Sequence, residues 1–198
     1  MIIKSAQFIT SSTTEEQCPK PDYPEFAFIG RSNVGKSSLI NMLTNHNKLA
    51  KISGTPGKTQ TINHFMINDA WYLVDLPGYG FAKLSKKARK NLEQIIYTYI
   101  QKRENLTCLF VLIDCRHKPQ PIDIDFIRKL GEEQIPFAIV MTKSDKIKED
   151  ELAYNIELFQ QKMYEDWEEL PLFFYSSSVS KQGRDEILDY IESVYKII

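Results

Sequence analysis

The sequence predicts an α/β fold: a doubly wound, mostly parallel sheet with one antiparallel strand and helices on both faces. Three observations carry that expectation. Short apolar runs of strand length, such as Glu25–Ile29, Leu106–Asp114 and Pro136–Met141, alternate with longer segments of helical spacing, the pattern of a parallel sheet. These runs are apolar throughout, as in strands covered on both faces. One neighbouring pair, Ile62–Asn68 and Trp71–Leu76, is joined by a tight Asn-Asp turn and must run antiparallel.

In chain order, Met1–Thr10 can form a peripheral strand, and Pro19, Pro21 and Pro24 mark a loop. Glu25–Ile29 is the first core strand and Ser37–Thr44 the first helix. Residues 45–61 are polar, with two glycines and a proline, and a connection of that length is usually functional. After the antiparallel pair comes a glycine-bearing loop, Pro77–Leu84. Ser85–Arg103 is helical, with Leu92, Ile95, Ile96, Tyr99 and Ile100 on one side. Leu106–Asp114 is a buried strand, Pro121–Glu133 a helix and Pro136–Met141 a strand. Asp150–Glu168 reads as an amphipathic helix, Leu172–Tyr175 as the last strand and Arg184–Lys196 as the final helix. In such sheets, ligands gather outside the C-terminal strand ends.

The chain has 198 residues, 42% hydrophobic and 12% aromatic, enough for one domain with a substantial core. Residues 1–24 form an N-terminal extension and 25–198 a single domain. A net charge of −1 and a pI of about 6.3 offer no global basic field, so a nucleic-acid partner needs a local patch. Cys18, Cys108 and Cys115 are far apart and lack C-x-x-C spacing, as expected for reduced thiols. The first residues lack the layout of a signal peptide, and no run approaches the roughly 20 apolar residues of a membrane span. The expectation is a soluble, cytoplasmic monomer without a membrane partner.

The chemistry sits at strand ends. Gly30-Arg31-Ser32-Asn33-Val34-Gly35-Lys36-Ser37 has the spacing G-x-x-x-x-G-K-S between a strand and a helix, a phosphate-binding loop. Its glycines let successive N–H groups converge on phosphate oxygens, and the helix N-terminus points there too. Lys36 is expected at the β- and γ-phosphates and the Ser37 hydroxyl on Mg²⁺. Asp75-Leu76-Pro77-Gly78 closes a strand downstream, with a carboxylate for the Mg²⁺ water shell and a Gly78 N–H free to approach a γ-phosphate. Thr142-Lys143-Ser144-Asp145 follows another strand. A carboxylate there accepts from guanine N1–H and the 2-amino group together, a donor pair adenine lacks. The Lys143 stem can lie along the base plane. Ser176-Ser177-Ser178 ends the last strand at the same rim. In the polar segment Gly57-Lys58-Thr59-Gln60-Thr61, Thr59 and Thr61 are rival Mg²⁺ ligands.

The stretches GRSNVGKSSLIN, GTPGKTQTIN, VDLPGYGFAK, DCRHKPQPID and MTKSDK together resemble the EngB (YihA/YsxC) bacterial GTP-binding proteins, within the TrmE-Era-EngA-EngB-septin-like GTPase superfamily. The likeness runs from about Glu25 to Gly183. It implies a P-loop NTPase with a Ras-like G domain that binds GTP and GDP with Mg²⁺. It further implies action on the large ribosomal subunit or its precursors, through rRNA and ribosomal proteins, and a requirement in septation. The family pattern makes Thr59 the magnesium threonine, beside Ser37, and gives Lys36, Thr59 and Gly78 the catalytic roles. It places Ser176–Val179 at the base.

Tyr79 stands where Ras-type enzymes carry a water-orienting glutamine, so slow intrinsic hydrolysis is expected. Asn33 is placed to help hold K⁺ beside the phosphates, as in related GTPases carrying N-V-G-K-S, while Arg31 is expected to face solvent. Lys83, Lys86, Lys87, Arg89 and Lys90 put five positive charges in eight residues just after the DLPGYG loop, a candidate rRNA contact. His117 is expected to fix a loop. The rival functional reading is a nucleotide-gated binding protein of the division machinery, with hydrolysis incidental.

Overall fold

The computed structural model describes residues 1–50, 60–80 and 85–197. Its strands are Ala6–Ser12 (β1), Glu25–Gly30 (β2), Ile62–Ile67 (β3), Trp71–Asp75 (β4), Leu106–Asp114 (β5), Phe137–Thr142 (β6) and Phe173–Ser176 (β7). The helices are Lys36–Thr44 (α1), Lys86–Lys102 (α2), Pro121–Glu132 (α3), Glu149–Met163 (α4) and Arg184–Tyr195 (α5). The strands form one sheet in the order β1-β3-β4-β2-β5-β6-β7. β3 runs against both its neighbours, and the other pairings are parallel. The expected doubly wound sheet with one antiparallel strand is therefore present.

Alternation along β2 sorts the core into two layers. Ala27 and Ile29 face α2, α3 and α4, packing with Leu92, Ile96, Ile127 and Phe159. Phe26 and Phe28 face the other way, against Leu39 and Leu43 of α1 and Ile187 and Ile191 of α5. Both sides of each central strand are covered, which is why these strands are apolar throughout rather than alternating. The Arg184 guanidinium ties the two helices of the second layer together. Its Nε and Nη2 donate to the carbonyls of Met42 and Leu43, at 3.1 and 3.0 Å, in the last turn of α1.

The β3–β4 turn follows its sequence. Asn68 and Asp69 both adopt φ of 52°, and Ala70 N donates to Ile67 O at 3.0 Å, the left-handed hairpin geometry these residue types tolerate. α2 begins where Ser85 accepts a hydrogen bond from Ala88 N at 3.2 Å, an N-cap contact. Leu92, Ile96, Tyr99 and Ile100 are buried as expected. Within the stretch read as an extension, β1 adds a strand to the sheet edge along β3, with a bulge between Phe8 and Thr10.

One helix is shorter than its pattern implies. α4 stops at Met163, although the amphipathic run extends to Glu168. The amides of Asp166 and Trp167 both turn back onto Met163 O, at 2.9 and 3.1 Å. That reversal drops the Trp167 ring over Gly131 of α3, where any Cβ would lie 2.3 Å from the indole. Tertiary docking of one large ring overrides local periodicity here.

At the N-terminal ends of the strands, away from the phosphate-binding turn, Glu25 is fully buried in a polar cluster. It accepts from Tyr99 Oη at 2.5 Å and from Arg103 Nε and Nη2 at 3.0 and 2.6 Å. His64 Nε2 lies 3.2 Å away, and Arg103 also donates to Pro19 O at 2.6 Å. All three cysteines are free. Among the described residues, no helix is long and apolar enough to cross a membrane.

Candidate functional site

The turn from Gly30 to Lys36 is shaped by three backbone positions. A Cβ on Gly30 would meet Leu112 O of the neighbouring strand at 2.8 Å, so only glycine lets β2 end this close to β5. Asn33 and Gly35 adopt φ of 64° and 105°, and Gly35 is the N-cap of α1. The N–H groups at the start of α1 therefore open toward the hollow of the turn, the arrangement that binds anions. Ser32 and Ser37 are half-buried beside it, Val34 is buried, and Asn33 is exposed.

Lys36 and Asp75 meet across the turn as an ion pair, with only 10% and 5% of their side chains exposed. Burial pulls the pKa of the Lys36 ammonium down, and the adjoining carboxylate acts in the opposite sense. Asp75 ends β4, and Leu76 N donates to Phe28 O at 3.0 Å, anchoring the following Pro77 and Gly78, both buried, to β2.

Tyr79 turns away from this hollow. Its ring stacks on Phe126 of α3 at 4.5 Å, and its hydroxyl donates to Asp123 Oδ1 at 2.9 Å. Arg31 departs from expectation. Its Nε lies 3.3 Å from that same Asp123 oxygen, and its side chain is 30% exposed. A buried carboxylate holds it at the protein surface.

The end expected to face the base is built around Lys143, Asp145 and Ser177. Lys143 adopts φ of 64°. Its ammonium donates to Asn33 O at 2.6 Å and to Asp114 Oδ2 at 2.8 Å, and its stem passes 3.7 Å from the Cβ position of Gly35. Thr142 Oγ1 donates to Val34 O at 2.7 Å. Two consecutive residues at the end of β6 thus brace the phosphate-binding turn. Ser177, fully buried, donates to Asp145 Oδ1 at 2.7 Å while accepting from Val179 N and Ser180 N at 3.2 Å each. That hydroxyl holds the Asp145 carboxyl below its usual pKa. Ser176 is buried, whereas Asp145, Ser178 and Val179 face solvent. Asp145 is exposed, so only a base laid over it would desolvate it. Ser144 Oγ donates to Gln182 Oε1 at 2.8 Å.

Thr61 Oγ1 donates to Asn63 Oδ1 at 3.0 Å, and Gln60 is exposed beside it. Gly57, Lys58 and Thr59 lie outside the described residues, as does Lys83. Lys86, Lys87, Arg89 and Lys90 are all exposed on the first turns of α2.

Sequence reasoning missed Asp114 and Asp123. Burial alone would raise the Asp114 carboxyl, but hydrogen bonds from Arg116 and Lys143 bring its pKa down to about 2. Its position as the last residue of β5 was the available signal, since Asp75 ends β4 in the same way. His117 is exposed and its N donates to Asp114 O at 3.2 Å, a loop-fixing place.

The protein family described as "50S ribosome-binding GTPase" matches residues 25–143. A protein of Christiangramia forsetii named "Probable GTP-binding protein EngB" is 56% identical over 194 residues, 98% of this chain and 98% of its own length. The crystal structure of a probable GTP-binding protein engB superposes with a TM-score of 0.71 at 25% identity, over 88% of this chain and 100% of that one. Era, solved in complex with MgGDPNP and nucleotides 1506-1542 of 16S ribosomal RNA, shares the fold with a TM-score of 0.67 at 23% identity, over 85% of this chain and 55% of that one. At 56% identity over nearly the whole of both chains, and with the family match over residues 25–143, this chain belongs to the EngB family of GTP-binding proteins.

Proposed function

We propose that the chain is a GTPase switch that binds GTP and GDP with Mg²⁺ and acts in assembly of the large ribosomal subunit. The observation that carries this reading is the Lys143 ammonium, shared between Asn33 O of the phosphate-binding turn and Asp114. It fixes the guanine-selecting turn to the phosphate loop, so base and phosphates are recognised as one rigid unit. Asp145, oriented by Ser177, accepts from guanine N1–H and the 2-amino group. Lys36 leaves Asp75 for the β- and γ-phosphates, and the Gly78 N–H meets the γ-phosphate.

The donor set suits Mg²⁺: a hydroxyl at Ser37 and a buried carboxylate at Asp75 are hard oxygen ligands, few in number, as that ion takes. Ser37 and Thr59 would hold it, with Asp75 in its water shell, and it would neutralise phosphate charge. The engagement of Thr61 with Asn63 favours Thr59 over Thr61. Tyr79, packed under α3, cannot orient a water at the γ-phosphate, which supports slow intrinsic hydrolysis. Asn33 is the residue for a K⁺ site, and equal hydrolysis in K⁺ and Na⁺ at matched ionic strength removes it.

The family's description as a 50S ribosome-binding GTPase supports the ribosomal partner, and the exposed Lys86, Lys87, Arg89 and Lys90 supply a local basic patch in an otherwise neutral chain. The protein acts in the cytoplasm as a monomer, and septation depends on it. Titration calorimetry with GDP, a non-hydrolysable GTP analogue and ADP tests the site; Asp145→Asn should weaken guanine binding about 10- to 100-fold. ADP binding comparable to GDP would overturn the assignment. Co-sedimentation with large-subunit precursors tests the partner. Glutamate at Lys86, Lys87 and Lys90 should weaken that binding and flatten its salt dependence.

A further inference from the structure

Tyr79 and Arg31 meet on one carboxylate oxygen. Tyr79 Oη donates to Asp123 Oδ1 at 2.9 Å, and Arg31 Nε lies 3.3 Å from the same atom. The two backbones are also bridged to each other in parallel, and Tyr79 N donates to Gly30 O at 3.3 Å. Asp123, the third residue of α3, keeps only 3% of its side chain exposed. The same helix reaches the loop at two further points. Phe126 stacks on the Tyr79 ring. Gly80, at φ of 74°, leaves the space that Ile122 Cδ1 fills, 2.9 Å from where a Cβ would stand.

α3 therefore grips the residue after Gly78 by its ring, its hydroxyl and its backbone neighbour, and grips the phosphate-binding loop through Arg31. The Gly78 N–H has no side chain to steer it, so its position is set by the anchors on either side. Upstream, Leu76 N is fixed to Phe28 O. Downstream, the anchor is Tyr79, whose hydroxyl donates a hydrogen bond to Asp123.

We propose that Asp123 is a positioning residue that ties the phosphate-binding loop to the turn carrying Gly78, so that a γ-phosphate is held only when the two are in register. This rests on the guanine-nucleotide reading above. A γ-phosphate needs the Gly78 N–H, whereas GDP does not reach it, so loosening the downstream anchor discriminates between the two nucleotides. A carboxylate that merely stapled α3 to the sheet would affect both alike.

The experiment compares GDP and a non-hydrolysable GTP analogue, with Mg²⁺, by titration on the full chain and on Tyr79→Phe, Asp123→Asn and Asp123→Ala. Tyr79→Phe keeps the ring stack and loses the hydroxyl. It should weaken the analogue about fivefold, the equivalent of one net hydrogen bond, while GDP changes less than about twofold. Asp123→Ala should cost the analogue about tenfold or more, and Asp123→Asn, which keeps an acceptor for the tyrosine, should restore most of that. Single-turnover hydrolysis should fall with analogue affinity. Equal losses for both nucleotides, or no loss in Tyr79→Phe, overturn the proposal; should Asp123→Ala not fold, Tyr79→Phe decides alone. A wild-type chain that binds neither nucleotide removes the guanine reading and this proposal together, a result distinct from any ratio measured on a wild type that binds.

Discussion

The Lys36 ammonium and the Asp75 carboxylate are each other's counter-ion across the phosphate-binding turn. In the bound state proposed above each takes a different task, phosphate for the lysine and the Mg²⁺ shell for the aspartate, so ligand binding would replace one buried pairing with two. Breaking a buried pair from one side strands the other charge and costs about 3–5 kcal/mol. Lys36→Ala is therefore expected to lower the melting temperature as well as to weaken GDP binding by at least about 100-fold. In Asp75→Asn, the gain in nucleotide affinity on adding Mg²⁺ should largely disappear. Titrations with and without Mg²⁺, alongside thermal melts, check both.

Ser177 serves two partners, as donor to Asp145 and acceptor from the Val179 and Ser180 amides. Ser177→Ala removes the donor and leaves the turn amides without that acceptor. GDP affinity should drop about tenfold, the equivalent of one to two net hydrogen bonds. Retained affinity would show that the Asp145 orientation does not depend on this hydroxyl.

The Glu25 cluster makes a pH prediction. Burial would raise the carboxyl, but hydrogen bonds from His64, Arg103 and Tyr99 win and lower it from 4.5 to about 2. A depressed carboxylate stabilises fully above its unfolded pKa, and that contribution is lost as pH falls through the folded value. The chain should lose stability, by about 3 kcal/mol from this group, between pH 4.5 and about 2. Urea unfolding across that window should be flatter in Glu25→Gln, although that variant starts less stable.

Gly183 precedes α5 at φ of 78°, with its Cβ position 2.2 Å from Tyr175 O. Neither the dihedral nor the contact admits a side chain. Gly183→Ala is expected to destabilise by about 3 kcal/mol. Because Gly183 follows directly on Gln182, the partner of Ser144, GDP affinity should fall too. Thermal unfolding and a GDP titration on the same sample separate the two effects.

What could be read from the sequence depended on the range of the interaction. The phosphate-binding turn was legible because its glycines, lysine and serine act within one strand–turn–helix. The body of α2 was legible because Leu92, Ile96, Tyr99 and Ile100 recur at helical spacing. The Asp123 clasp on Tyr79 and Arg31, the Asp114 link to Lys143 and the Glu25 cluster join residues distant along the chain, and no local pattern marks their register. α4 was overestimated for the same reason: its polar rhythm continues past Met163, but the chain reverses so that Trp167 can dock on Gly131.

The central place of β2 also sets a timetable. Gly30 pairs with Leu112, so the strand leading into the phosphate-binding turn gains its second neighbour only after the chain has been made through β5. The base end waits longer, for Ser177, and the Arg184 cap on α1 longer still. At a synthesis rate of about 5–20 residues per second, this takes on the order of ten seconds. During that interval the first helix lacks its α5 neighbours Ile187 and Ile191 and its far cap. The surroundings of Asp145 and the far end of α1 are therefore complete only when nearly the whole chain has been made.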